Sequence, residues 1–132
     1  MLVYLMMQRT FVISFLLAAF AVVAAAFAYA RSGRGLVSPA RAKAMIADGT
    51  VATVVDVRTD IEFKTGHHPR AIHLPASKMN EEAVKRLELD NERGVLTYCN
   101  SGQRARAAAE KLRSLGFKQV YYISGTYSTI LD

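Results

Sequence analysis

Hydrophobic positions follow two different patterns along the chain. The first is one apolar run from Thr10 to Ala30, with no charged residue between Arg9 and Arg31. Beyond it, short β-branched runs alternate with segments in which apolar residues recur at helical spacing. Strands that alternate with helices are typical of an open, mostly parallel α/β sheet with right-handed crossovers. We therefore predict an N-terminal hydrophobic helix followed by an α/β domain with helices flanking the sheet.

Four short apolar runs are the predicted strands. Val51 to Val57 is nearly continuous in β-branched residues, which is typical of a strand buried on both faces of a parallel sheet. The other three runs are shorter and of the same type: Ala71 to Leu74, Val95 to Cys99, and Val120 to Ile123.

Three helices are predicted, one before the first strand and two between later strands. Ser38 as N-cap, followed by Pro39, predicts a helix over Ala40 to Ala47. Ser77 is the predicted cap of a second helix through the segment EEAVKRLEL. The third helix is the Ala-rich run from Gln103 to Leu115.

The N-terminal run has features of a secretory signal peptide and of a membrane anchor. Arg9 precedes it and Ala28-Tyr29-Ala30 ends it with an A-x-A pattern, which predicts cleavage after Ala30. The run is also long enough to span a bilayer. More basic residues follow it than precede it, which for an uncleaved helix indicates a domain left in the cytoplasm. We expect a cell-envelope protein, either periplasmic after cleavage or anchored in the inner membrane.

The predicted organisation has three parts. Residues 1–30 are the signal peptide or anchor, residues 31–35 are a short linker rich in Gly, Ser and Arg, and residues 36–132 are the α/β domain. The membrane would be contacted through residues 10–30 if they are uncleaved.

Composition narrows the range of partners. The 17 Lys and Arg residues against 11 Asp and Glu give a net charge of +6, which suits a small anionic substrate without selecting one. The basic residues form no run of four and no aromatic residues alternate with them, so no nucleic-acid partner is expected. His67, His68 and His73 lack a fourth ligand and a recognised spacing, so neither a metal nor another cofactor is expected.

The only cysteine, Cys99, ends a predicted central strand. Ligands of open parallel sheets bind beyond the carboxyl ends of the strands. The loop that follows can turn its backbone N–H groups inward, and the next helix directs its positive end at the same place. This setting favours a nucleophilic thiolate. The alternative is a structural cysteine that fills the strand end.

The motifs around Cys99 resemble those of rhodanese domains, the sulfurtransferase family. The resemblance covers Leu36 to about Ile130, although Arg70 and Ser124 stand where the family usually has glycine. The first motif is Asp56-Val57-Arg58 with Glu62-Phe63, Gly66-His67 and Ala71. The second is Tyr98-Cys99-Asn100-Ser101-Gly102-Gln103-Arg104, which matches C-x-x-G-x-R. The third is Leu115-Gly116-Phe117 with Ser124-Gly125. With its signal-like N-terminus, the chain also resembles the periplasmic rhodaneses of the bacterial phage-shock response.

This resemblance implies a mechanism. Cys99 would take the outer sulfur of an anionic sulfane donor such as thiosulfate, hold it as a persulfide, and pass it to a thiol or cyanide-like acceptor. Arg104 would attract the donor, with a solvated arginine as the alternative role. The sulfur anion would be stabilised by backbone N–H groups of the loop residues Asn100, Ser101, Gly102, Gln103, Arg104 and Ala105.

Four more residues are expected to support the loop. Asp56 is expected to brace neighbouring backbone groups and not to act as an acid. Arg58 and Glu62 resemble a pair that the family carries near the loop, with a structural ion pair as the alternative for each. His67 is expected to shape its own loop.

Two other functions stay open at this point. A cysteine phosphatase or arsenate reductase needs C-x5-R, whereas this spacing ends here on Ala105, and the six-residue loop from Cys99 to Arg104 suits a single sulfur better than a phosphate. A non-catalytic persulfide carrier or redox-sensing module that uses the same thiol would have the same sequence features.

Overall fold

The computed structural model describes residues 1–132 and contains one parallel sheet of four strands. The strands are β1 (Val51–Asp56), β2 (Ala71–His73), β3 (Gly94–Tyr98) and β4 (Val120–Tyr122). Their order is β2-β1-β3-β4, and each neighbouring pair is parallel. The predicted open parallel α/β fold is therefore confirmed, and β1 and β3 are its inner strands.

The chain also contains five α-helices and two short 3₁₀ helices. The α-helices are α1 (Leu2–Arg31), α2 (Pro39–Ala47), α3 (Asp60–Thr65), α4 (Glu81–Arg86) and α5 (Gln103–Ser114). The 3₁₀ helices are Ala76–Lys78 and Tyr127–Ile130. The predicted helices before β1 and after β3 are present with bounds that differ by one residue at an end.

Two helices differ from the sequence prediction. Ser77 does not cap α4, because it lies in a 3₁₀ helix, and Asn80 takes the cap position by accepting the N–H of Ala83 at 2.8 Å. α3 was not predicted. Its sequence signal is a capping box in which Thr59 and Glu62 bond each other's backbone N–H groups.

Both faces of the sheet are covered by apolar side chains. Val55 of β1 packs with Leu112 of α5 on one face, whereas Val54 packs with Met45 of α2 on the other. Successive residues of a strand point to opposite faces, so the continuous β-branched run of β1 supplies both cores. The two cores hold β1 and β3 in place, and their carboxyl ends form a fixed edge.

α1 belongs to neither core, and only its last turn packs against the domain. Its apolar stretch is exposed, and the helix is long and apolar enough to cross a membrane. These properties are compatible with a signal sequence or an anchor, and they exclude a buried core helix. Ala30 is the one buried residue of α1.

A buried polar cluster joins the carboxyl ends of β1 and β3. The carboxylate of Asp56 accepts a hydrogen bond of 2.7 Å from the Arg58 guanidinium, one of 2.7 Å from the Tyr98 hydroxyl, and one of 2.9 Å from the Arg58 backbone N–H. The same hydroxyl accepts the N–H of His68 at 3.1 Å. Burial raises the pKa of Asp56, but the bonds from Arg58 and Tyr98 outweigh it and hold this pKa below its ordinary value. Asp56 is therefore a buried, paired anion.

The change Tyr98→Phe tests this cluster. It removes the hydroxyl that bridges Asp56 and His68, so two buried groups lose a partner, and we expect the free energy of unfolding to fall by about 1–3 kcal/mol. Urea titration of the full chain in mild detergent, followed by near-UV circular dichroism, measures the change. Tyr121→Phe is the matched control, since Tyr121 is only half-buried. Equal effects of the two changes would contradict the bridging role.

Candidate active site

Cys99 directly follows β3 and lies at the carboxyl edge of the sheet. The residue is only 1% exposed. Its sulfur accepts the backbone N–H of Gly102 at 3.1 Å. The thiol thus lies inside the turn between β3 and α5, with its sulfur already engaged by one backbone donor.

The loop around the sulfur presents further backbone donors. The N–H groups of Gln103, Arg104 and Ala105 open α5, and none has a hydrogen-bond acceptor within the protein. Ala105 is fully buried, and its carbonyl accepts the Thr97 hydroxyl at 2.8 Å, which ties the first turn of α5 to β3. The first turn of α5 is therefore fixed while its donors stay available to an anion.

Gly102 gives the loop its shape. Its φ of +100° lies in the left-handed region, where glycine is favoured. A Cβ at this position would lie 2.8 Å from the Cα of Ser124 and 3.1 Å from the Cβ of Ala30. Glycine is thus required here both by the backbone conformation and by the close neighbours on two sides.

Glu62 joins both ends of the loop to α3. Its carboxylate accepts two hydrogen bonds from the Arg104 guanidinium, at 2.8 and 3.1 Å. It also accepts the side-chain amide of Asn100 at 2.6 Å and the Thr59 hydroxyl at 2.9 Å. The Arg104 bonds are the main reason that the pKa of Glu62 lies well below its usual range. One carboxylate thereby holds the residue after Cys99 and the second residue of α5.

Arg104 is held beside the sulfur and is not free in solvent. The Glu62 carboxylate, and to a smaller extent the nearby Cys99 sulfur, raise the pKa of the Arg104 guanidinium. Its side chain is 39% exposed. The guanidinium thus has a fixed position next to the loop and one face open to water.

The remaining candidate residues lie beneath or beside this loop. Arg58 pairs with Asp56 and donates to the Gly66 carbonyl at 2.6 Å, so it is not the partner of Glu62. His67 stacks on Phe63, with 3.7 Å between ring centroids, and its Nδ1 lies 2.8 Å from the Phe63 carbonyl oxygen. His67 makes no hydrogen bond to the loop.

Three further observations concern the histidines, the contact of Ala30 with the loop, and Arg70. The three histidines do not converge, and no group of His, Cys, Asp or Glu is placed to hold a metal ion. The contact of Ala30 with Gly102 joins residues far apart in the chain, and no local pattern predicts it. Arg70, which replaces a glycine usual in the family, does not have a positive φ and donates its N–H to His68 Nδ1 at 3.1 Å.

Solved structures with this fold include a sulfurtransferase. The human single-domain sulfurtransferase TSTD1 aligns with a TM-score of 0.61 and 26% identity, over 74% of this chain and 95% of the human one. The BH2092 protein from Bacillus halodurans aligns with a TM-score of 0.60 and 33% identity, over 71% of this chain and 69% of that protein.

Curated relatives extend the comparison. The tRNA uridine(34) hydroxylase of Sodalis glossinidius is 34% identical over 83 residues, which is 61% of this chain and 24% of the relative. The same enzyme of Erwinia tasmaniensis is 34% identical over 81 residues, or 59% of this chain and 23% of the relative. The chain thus spans about a quarter of the length of the curated relatives it matches.

The family model described as Rhodanese-like domain matches residues 38–131. With that match, the chain belongs to the rhodanese-like domain family.

Proposed function

We propose that the protein is a sulfurtransferase that carries sulfane sulfur on Cys99. The observation that carries the proposal is the sulfur itself, which accepts the Gly102 N–H at 3.1 Å at the start of a helix whose first N–H groups have no acceptor. Backbone donors of this kind stabilise a compact sulfur anion. Family membership and the similarity to the human sulfurtransferase support the same chemistry.

The reaction balances with two nucleophilic steps. The Cys99 thiolate attacks the outer sulfur of a donor such as thiosulfate, the sulfur–sulfur bond of the donor breaks, and sulfite leaves with the bonding electron pair. A thiol or cyanide-like acceptor then attacks the outer sulfur of the persulfide, and the Cys99 thiolate leaves. Because Cys99 is only 1% exposed, a donor that presents a single terminal sulfur fits the loop better than a bulky one.

Glu62 and Arg104 have linked roles in this proposal. Glu62 keeps the loop in one conformation by bonding Asn100 and Arg104 together. The guanidinium of Arg104 keeps one face open to solvent, where it adds positive charge for an anionic donor. Positioning of the loop therefore depends on Glu62, and attraction of the donor depends on Arg104.

The arrangement disfavours a phosphatase. The position that would carry the phosphate-binding arginine is Ala105, which is fully buried. Arg106 follows it, but its guanidinium bonds the Tyr29 carbonyl and the Ser32 hydroxyl, away from the loop. The arginine that a phosphatase loop requires at this position is thus absent, and Arg104, one residue earlier, is paired with Glu62.

The curated relatives act on tRNA according to their names, and this chain spans about a quarter of them. We therefore limit the proposal to sulfur transfer and do not extend it to tRNA hydroxylation. A persulfide carrier without turnover is the second candidate, since it would use the same thiol and the same loop.

Intact mass spectrometry of the full chain in mild detergent tests the proposal. After incubation with thiosulfate we expect a gain of one sulfur atom, which cyanide removes as thiocyanate. Cys99→Ser is expected to gain none, because it lacks the nucleophile. Repeated thiocyanate formation per chain identifies an enzyme, whereas a single loading identifies a carrier. A folded parent chain that gains no sulfur would overturn the proposal.

The change Gly102→Ala tests the shape of the loop. The new Cβ would press against the Ser124 backbone in a left-handed conformation, so we expect the free energy of unfolding to fall by about 1–3 kcal/mol and sulfur loading to be lost. Gly116→Ala is the matched control, since Gly116 has a similar φ of +96° but no atom within 4 Å of the new Cβ. An equal fall in the free energy of unfolding for the two changes would show that crowding by Ser124 is unimportant.

The depressed pKa of Glu62 predicts a pH dependence. Its ordinary value is 4.5; the stability that Glu62 contributes is complete above that pH and is lost as the pH falls toward the lower value of the folded state. We expect Glu62→Gln to be less stable than the parent by about 1 kcal/mol at neutral pH. The difference should shrink in acid, because below about pH 4.5 Glu62 of the unfolded parent takes up a proton while the paired Glu62 of the folded parent stays ionised.

Urea titrations of both chains between about pH 7 and about pH 3 measure this difference. Asp56 is present in both chains, so its own titration cancels. Glu82→Gln, on the exposed face of α4, is the control and should change stability little. A difference that stays constant with pH would contradict a paired Glu62 anion.

A further inference from the structure

The last turn of α1 is built into the domain. The guanidinium of Arg106 on α5 lies over the Tyr29 ring, with Cζ 3.8 Å from its centroid, and also bonds the Tyr29 carbonyl. The Tyr29 hydroxyl donates to Glu110 of α5 at 3.0 Å. These contacts fix the side chain and the backbone of Tyr29 to one face of α5.

Ala30 is joined to the core by a hydrogen bond from β4. It is fully buried, and its carbonyl accepts the hydroxyl of Tyr122, itself fully buried in β4, at 2.6 Å. The same hydroxyl accepts the N–H of Gly33 at 3.0 Å. The buried Tyr122 hydroxyl thus finds its two hydrogen-bond partners at the end of α1 and in the linker that follows.

This junction also touches the loop that holds Cys99. A Cβ at Gly102 would lie 3.1 Å from the Cβ of Ala30. The turn that donates to the sulfur therefore packs directly against the last turn of α1. Removal of residues 1–30 would expose this side of the loop and take the carbonyl partner from Tyr122.

The rest of α1 matches the apolar interior of a bilayer. From Phe11 to Ala28 the helix is roughly 27 Å long at 1.5 Å per residue, close to the ~30 Å hydrocarbon core. Arg31 and Arg34 follow it at the level where phosphate headgroups would lie. A cavity of about 230 Å³ beside Arg34 is lined by Arg34, Arg113 and Lys118, of which Lys118 also pairs with Glu92 at 2.8 Å. This basic surround complements anionic headgroups.

We infer that α1 is retained in the working protein as a bilayer-spanning anchor, and that its last turn, Tyr29 and Ala30, buttresses the Cys99 loop at the membrane surface. Of the two N-terminal fates open from the sequence, cleavage or anchoring, the structure favours anchoring. The inference is independent of sulfur transfer, since it rests on contacts of α1 with Arg106, Tyr122 and Gly102.

The first test follows the intact full chain. It is expressed in bacteria with a C-terminal tag, the membranes are washed with alkaline carbonate, and the mass of the chain is measured in each fraction. We expect an uncleaved chain in the washed membranes. A cleaved chain that begins at Arg31, or an uncleaved chain that carbonate releases from the membranes, would overturn the inference.

The second test measures the buttress by hydrogen exchange of the full chain in detergent. Tyr122→Phe removes the bond to the Ala30 carbonyl, and we expect the hydrogen-bonded amides of Gly102 and Arg106 to exchange about fivefold faster or more. Tyr121→Phe, on the same strand, is the matched control and should leave them unchanged. Equal exchange in the two variants would overturn the buttress, whatever the result of sulfur loading.

Discussion

The site depends on the hydrogen bonds that the buried carboxylate of Asp56 accepts. It is buried at the end of β1, and it holds Arg58 of the same strand end and Tyr98 of β3. Tyr98 precedes Cys99, so the bond sets where the thiol leaves the sheet. Arg58 in turn donates to the Gly66 carbonyl after α3, which fixes the segment that presents Glu62. A buried charge of this kind is stable only when all its partners are present, and here those partners lie on both sides of the site.

A second carboxylate holds the loop itself. Glu62 caps α3 through Thr59 and bonds Asn100 and Arg104 of the loop. The helix cap and the loop brace are the same group, so α3 and the loop cannot move independently. The backbone donors that open α5 are thereby aimed at a fixed sulfur, as electrostatic stabilisation of an anion requires.

The sequence predicts the strands of the sheet, but it does not predict which side chains pair around the thiol. β-branched runs identified all four strands, because a parallel sheet needs buried residues on both faces. α3 was missed since a helix of six residues shows no clear period, although its capping box was readable. Asp56, Arg58, Glu62 and Arg104 were all chosen as site residues, but which of them pair depends on how β1, α3 and α5 meet in space. The contact of Ala30 with Gly102 depends on the same tertiary arrangement.

Cys99 is the only thiol of the chain, and it is buried in its loop. On the proposed chemistry, a sulfur atom loaded there has no second cysteine to which it can pass, so no internal disulfide can discharge it. Each loaded molecule waits for an outside acceptor, and the concentration of that acceptor sets the length of the wait. Such a protein stores oxidised sulfur as well as transferring it, and its loaded fraction at any moment reports the balance between donor supply and acceptor demand.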